Sequence, residues 1–424
     1  MQIENKHFGF ISTRFAGTDG VSLESRKWAQ VLSRCGHECY WYAGSLDTPT
    51  ERSMQVPEAF FEDRENLWIN SQIFGKVSRS RECTDRIHRL KEKLKDELYK
   101  FIEKFRIDVI VAQNCLTIPM HVPLGLALTE VIAESRIPTI AHHHDFYWER
   151  DRFAITAAPD YLHMAFPPKF TNVQHVVINS SAREQLAHRT GITSFVIPNV
   201  LDFSVPCPSI DDFSSSFRQD INVAADDILI LQPTRIVSRK GIEHAIELVR
   251  RLKDPKYKLV VSHEAGDEGF EYQEFLSDYA ASVGVDMRII SHRVSSMRSE
   301  DKEMGKHYTL WDAYLHADLV TYPSLYEGFG NAFLEAVYFR KPLLVNRYSI
   351  YIRDIEPKGF QVVEMNGYIT KSVVAETRRI LEDPDYRESM VNHNFERAKK
   401  YYSFDVLERK LGYLLSNTFG VDSA

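Results

Sequence analysis

Short apolar runs and stretches of helical periodicity alternate along nearly the whole chain. His7–Thr13 predicts a first strand, Leu23–Ser33 the helix after it, and Glu38–Ala43 the second strand. Further runs at Asp108–Ala112, Pro138–Ala141, His175–Ile178 and Ser194–Ile197 continue the series. Their near-continuous apolar character suits strands buried on both faces. Strand–helix alternation of this kind predicts an α/β protein with parallel, doubly wound sheets. Val200 to Asp226 is richer in Pro, Ser and Asp and predicts a linker. A second alternating series opens at Ile228 and runs to about Glu396, and Tyr401 to Asn417 reads as a closing amphipathic helix. The expected organisation is therefore an N-terminal Rossmann-like domain over 1–200, a C-terminal one over 201–400, and a terminal segment, 401–424. The helical run Arg89–Lys104 places Leu90, Leu94, Leu98 and Phe101 on one stripe among mixed charges, as a solvated helix with one buried face does.

Composition narrows the class. A chain of 424 residues with 44% hydrophobic and 26% charged residues describes an ordinary globular protein of two domains. There is no apolar run of about eighteen residues, so no membrane span is expected. The net charge of −7 and the lack of a basic amphipathic face disfavour nucleic acid and anionic lipid as partners. Five cysteines, at 35, 39, 83, 115 and 207, are an odd number without metal-site spacing, which points to reduced thiols and a cytoplasmic setting. Cys35 and Cys39 read as core residues. Oligomeric state is left open.

Candidate chemistry concentrates in two C-terminal segments. Glu327-Gly-Phe-Gly-Asn-Ala-Phe-Leu-Glu335 follows a predicted strand at Ala317–Pro323. Asn331 reads as an N-cap, and the apolar spacing after it predicts a helix. Gly328, Phe329, Gly330 and Asn331 then place free helix N–H groups where a phosphate can sit, flanked by two carboxylates able to accept hydrogen bonds from sugar hydroxyls. Upstream, the strand-like run Asp227–Thr234 ends in Arg235-Ile-Val-Ser-Arg-Lys240-Gly241, ahead of an amphipathic helix from Ile242 to Leu252. Cations at the carboxyl end of a buried strand stand where open α/β sheets bind ligands, and Arg235 with Lys240 could neutralise a diphosphate.

Two N-terminal segments add to these. Arg14-Phe-Ala-Gly17-Thr-Asp-Gly20 follows strand one, and its glycines allow close backbone approach to a ligand. His142-His143-His144-Asp145 follows the Pro138–Ala141 strand. Neighbours in an extended chain point to opposite faces, so at most two of these histidines could share a metal ion, and no metal is expected. Arg150 and Arg152 come just after.

These motifs resemble those of the retaining family-4 nucleotide-sugar glycosyltransferases. Arg235 and Lys240 match the cation pair after the first strand of that family's C-terminal domain, and Glu327 and Glu335 its paired-glutamate motif. Pro198-Asn199-Val200-Leu201-Asp202 is similar to its hinge entry, without the usual Gly. The resemblance implies the GT-B fold, two Rossmann-like domains facing across a cleft, with the terminal segment packing back on the N-terminal domain. It implies transfer of a hexosyl group from a nucleoside diphosphate sugar, GDP-mannose or UDP-glucose, with retention and no cofactor. His144 then meets the transferring sugar, with His143 its nearest competitor. Arg235 and Lys240 stabilise the leaving diphosphate, Glu327 holds donor-sugar hydroxyls and Glu335 the ribose. Gly20 borders the donor, while Arg14, Arg150 and Arg152 face a small soluble acceptor bearing hydroxyls and a carboxylate or phosphate, such as a glycosylglycerate. The family's Gly-rich turn is replaced here by His263-Glu-Ala-Gly-Asp-Glu268, which leaves the donor base open. An epimerase of the same fold and a non-catalytic sugar-nucleotide binder are the alternatives.

Overall fold

The computed structural model describes residues 5–17, 19–265, 270–301 and 305–419. The chain divides into two compact units. One runs to Val200 and takes in the chain again from Phe404, and the other spans Leu201–Ser403.

The first unit is built on a seven-stranded parallel sheet. Its strands are β1 (His7–Ile11), β2 (Glu38–Ala43), β3 (Ser53–Gln55), β4 (Val109–Gln113), β5 (Thr139–His143), β6 (Val173–Val177) and β7 (Ser194–Val196), in the order β3-β2-β1-β4-β5-β6-β7. Order reverses between β1 and β4, so the loops leaving these neighbours turn to opposite faces and open a crevice at the strands' carboxyl ends. Helix α1 (Gly20–Arg34) and the C-terminal helix Phe404–Phe419 cover one face, burying Trp28, Leu32, Leu407 and Leu411 against Phe8, Phe10 and Val111. Helices α2 (Arg81–Phe105) and α3 (Val122–Ser135) cover the other, where Leu94, Leu98 and Phe101 meet Ile11, Tyr42 and Ile110. The apolar stripe predicted for Arg89–Lys104 is this contact. Gly9 on β1 permits it, since a Cβ there would stand 2.8 Å from the Phe101 ring and 2.9 Å from Ile107.

The second unit repeats the plan with six parallel strands. They are β8 (Ile228–Gln232), β9 (Tyr257–Val261), β10 (Met287–Ile289), β11 (Leu319–Tyr322), β12 (Leu343–Asn346) and β13 (Val363–Met365), in the order β10-β9-β8-β11-β12-β13. Its reversal lies between β8 and β11. Helix α5 (Ile242–Leu252) packs Ile242, Ile246 and Val249 into the core on one face, after helix α4 (Ser180–Thr190) has closed the first unit's sheet.

Several sequence expectations need correction. The first helix begins at Gly20, because the Asp19 carboxylate accepts from the Val21 and Ser22 N–H groups and starts the helix three residues before its apolar stripe. The expected linker is partly packed. Phe203 and Phe217 are buried, and Phe217 lies edge-on to Tyr308 and stacks on His316. Two aromatics in a polar stretch are averaged away by composition. The single terminal helix expected from Tyr401 is broken at Ser403, whose extended backbone (φ −85°, ψ 168°) separates Pro384–Tyr402 from Phe404–Phe419. Cys35 is exposed beyond the end of α1 rather than buried in a core, whereas Cys39 on β2 is buried. Among the described residues no helix is long and apolar enough to cross a membrane.

Buried histidines set an expected pH response in the first unit. His121 caps α3 through Nδ1, which accepts from the Leu124 N–H, while Nε2 lies 2.8 Å from the Glu58 carbonyl. That pairing requires the neutral ring, and burial pushes its pKa down to about 4; burial does the same to His175 on β6. The unfolded chain takes up these protons near pH 6.5 and the native one does not. Stability is therefore complete above pH 6.5 and falls as pH drops toward 4, by about 2 kcal/mol per ring at pH 5. Urea unfolding at pH 7 and pH 5 checks this. His121→Asn, which caps without titrating, is expected to lose correspondingly less on acidification.

Candidate active site

In the second unit the loops after β8 and β11 leave opposite sides of the switch point and are tied together at their bases. Gln232 donates to Thr234 Oγ1 at 2.8 Å and accepts from Thr321 Oγ1 at 2.8 Å, joining the two strand ends. Residues Ser238–Lys240 form one tight turn closed by Gly241, whose φ is +61°. A Cβ on Gly241 would lie 2.6 Å from the Pro323 carbonyl oxygen, so only glycine lets the β8 loop rest against the end of β11. The Leu325 N–H donates to the Arg239 carbonyl at 2.8 Å and fixes the approach.

That approach puts Lys240 Nζ on Glu327 Oε1, with Arg239 Nη1 at 3.3 Å from Oε2. Glu327 is only 7% exposed. Burial opposes its charge, but Lys240 and then Arg239 outweigh it and hold the carboxyl below its usual range. The Lys240 ammonium also stands 5.7 Å from the centre of the Tyr322 ring. The sequence motifs join Lys240 with Arg235 and assign Glu327 to a sugar. In the structure Lys240 pairs with Glu327, they are joined by Arg239, which no motif singles out, and the Arg235 side chain is exposed at the start of the loop. Beyond β9, His263 hydrogen-bonds Ser262 Oγ at 2.7 Å and is kept neutral, its pKa lowered to about 4 by burial and then by Arg235 and Lys240. Gly266 to Glu268 of the altered turn lie outside the described residues.

Past Glu327 the backbone turns at Gly330 (φ +123°), where a Cβ would meet Tyr348 Oη at 2.8 Å. Tyr348 in turn donates to the Phe329 carbonyl at 2.7 Å. Helix α6 (Asn331–Tyr338) starts here. Asn331 is its first residue and Gly330 occupies the cap position, so the expected Asn331 cap does not form and, among the described residues, no side chain caps the helix. The Phe333 N–H donates back to the Gly330 carbonyl at 3.0 Å, and the positive end of the helix dipole lies at the Gly328–Gly330 loop, an arrangement suited to an anion. Glu335, one turn inside, accepts from Tyr314 Oη at 3.1 Å.

The first unit carries a separate polar cluster around its own switch point. Asn114, in the left-handed region at φ +60°, follows β4. Its Oδ1 accepts from the His144 N–H at 3.0 Å and its Nδ2 donates to Asp145 Oδ1 at 3.0 Å, so one side chain sets the loop after β5. Asp145 also accepts from Arg150 Nε at 2.6 Å. The three histidines diverge as strand alternation requires. His143 bonds Thr117 and His175. His142 stacks on Trp28 (4.3 Å between centroids) and lies 4.5 Å from His144. Among the described residues, Nε2 of both His142 and His144 is buried without a hydrogen-bond partner. Burial lowers the His144 pKa to about 4 against the pull of Asp145 and Asp19, so the ring is neutral at physiological pH. In the loop after β1 the left-handed glycine is Gly17 (φ +77°), whose N–H donates to Asp47, while Gly20 is simply the first residue of α1. Arg14 pairs with Asp19 at 3.4 Å, and Arg152 lies over the Phe153 ring at 4.6 Å.

Comparison with known proteins places these features in context. Residues 213–397 match the model for glycosyl transferases group 1. The chain is 33% identical over 382 residues to a mannosylglucosylglycerate synthase of Petrotoga mobilis, covering 85% of this chain and 86% of that protein. It is 34% identical over 424 residues to the synthase of the same name from Thermotoga maritima, covering 92% and 95%. Among solved structures, a glycosyltransferase from Rickettsia africae superposes with a TM-score of 0.70 at 12% identity, covering 99% of this chain and all of that one (100%).

Proposed function

Because the chain belongs to the group 1 glycosyltransferases and has the GT-B fold, we propose that it transfers a mannosyl group from GDP-mannose to glucosylglycerate, with retention at the anomeric carbon. The observation that carries the donor half is the cluster at the switch point of the second unit. A diphosphate leaving group gathers negative charge as its bond to the sugar breaks. Fixed cations in a partly desolvated loop stabilise that charge without reorganising. Lys240 and Arg239 are held in place by Glu327, and α6, which starts just past Gly330, adds the positive end of its helix dipole. In this reading Arg235 reaches the diphosphate from its exposed position. Glu327 both fixes the cations and accepts from donor hydroxyls, and Glu335 holds the ribose.

The acceptor half is supported by the two synthases, which match this chain over most of both lengths. The first unit would supply the neutral His144 ring to the transferring sugar. Arg14, Arg150 and Arg152 would supply positive charge for the glycerate carboxylate. Arg14 and Arg150 are already paired with carboxylates, so the acceptor must compete with Asp19 and Asp145 for them.

The test is an acceptor panel with GDP-mannose and UDP-glucose as donors. Glycerate, glucosylglycerate, simple sugars, and polyprenyl and inositol lipids are compared by nucleoside diphosphate release, with the product anomer read by NMR. The expected result is turnover with GDP-mannose and glucosylglycerate and an α-linked product. Turnover confined to the lipids, or an inverted product, would overturn it.

A further inference from the structure

An unassigned cavity lies in the first unit, at the edge of its sheet. Strand β7 is the last strand of that sheet, and the C-terminal helix runs beside it. Between them is a cavity of about 380 Å³. This lies within the range of small-molecule sites. Phe195, Ile197 and Val406 form an apolar floor, and the Tyr413 ring stands edge-on to Phe195 at 5.9 Å. Tyr413 is 60% exposed, a large aromatic face left open to solvent.

The charged lining is of one sign. Arg183 reaches in from α4, and Arg409 and Lys410 from the C-terminal helix, while among the described residues no carboxylate lines the cavity. The Lys410 ammonium donates to the Val196 carbonyl at 2.8 Å, which tethers the helix to the edge strand. Neither the Arg183 nor the Arg409 guanidinium has an ion pair among the described residues. In a chain whose net charge is −7, three cations around an apolar floor select for a particular chemistry. The floor takes an apolar body, and the cations take an anionic head.

We propose that this cavity binds a small organic anion, a carboxylate, phosphate or sulfonate carried on an apolar or aromatic body.

The experiment titrates the full chain with anilinonaphthalene sulfonate and, separately, with the uncharged phenylnaphthylamine of nearly the same shape. One sulfonate probe per chain is expected to bind, about tenfold tighter than the neutral one, the scale of one charge-assisted contact. Arg183→Ala with Arg409→Ala, both exposed positions, is expected to remove that preference while leaving the neutral probe unchanged. Unaltered sulfonate affinity in the double variant would overturn the proposal. So would displacement of the probe by GDP, which would place it at the nucleotide site. Neither outcome depends on which sugar or acceptor the enzyme uses.

Discussion

Replacing Lys240 with alanine is expected to lower turnover by roughly two to three powers of ten, the scale lost when one fixed charge-stabilising donor is removed. The ammonium sits on Glu327 at the end of β11, largely shielded from water, so its field is not screened as that of a surface lysine would be. The measurement is nucleoside diphosphate release at saturating donor, with nucleotide affinity followed by calorimetry. Glu327→Ala is expected to be at least as damaging, because it takes away a candidate sugar contact and also frees Lys240 and Arg239 from their partner. Residues that act as one unit are not additive. The Lys240→Ala, Glu327→Ala double variant is therefore expected to be no slower than the worse single variant. Wild-type rates in Lys240→Ala would sink the diphosphate assignment. Full additivity in the double variant would mean that the pair does not act together.

Gly241→Ala is expected to destabilise the second unit by about 2–5 kcal/mol. Part of this is conformational, about 1–2 kcal/mol for placing a Cβ in the left-handed region. The rest is steric, about 1–3 kcal/mol for forcing extra volume into a closed contact. The new Cβ would lie 2.6 Å from a backbone carbonyl that cannot swing aside. Gly284 supplies the control, since it has a similar φ of +70° but nothing within 4 Å of an added Cβ. Gly284→Ala should show the conformational part alone. Urea denaturation compares the two, and equal losses would refute the close approach of the β8 loop to β11. Because Arg239 and Lys240 ride on that loop, Gly241→Ala should also reduce turnover, whereas Gly284→Ala should not.

Much of this architecture is written in local pattern. A strand buried on both faces must be apolar throughout, and a helix laid on a sheet must be apolar on one stripe. Glu38–Ala43 and Ile242–Leu252 were therefore legible to the residue, and the other strands read from the sequence to within a few residues, while strands such as Leu343–Asn346 and Val363–Met365 were not singled out. The paired loops after β8 and β11 were also legible, because glycine, glutamate and cations at strand ends are local features whose chemistry does not depend on what lies opposite. Element boundaries were less so. A cap such as Asp19, or a single extended residue such as Ser403, overrides periodicity through one or two hydrogen bonds.

What the sequence by itself determined is the class of fold, the placing of the candidate loops at strand ends, and the kind of charge they carry. Which charges meet was decided by tertiary structure alone. Lys240 and Glu327 are 87 residues apart and touch because Gly241 lets one loop lie on the end of a neighbouring strand. Asn114 and His144 are 30 apart and meet because β4 and β5 are adjacent in the sheet. No spacing rule relates such pairs. Strand order sets their distance, and in a parallel sheet strand order follows from how the helices pack across its faces, which only the assembled core can fix.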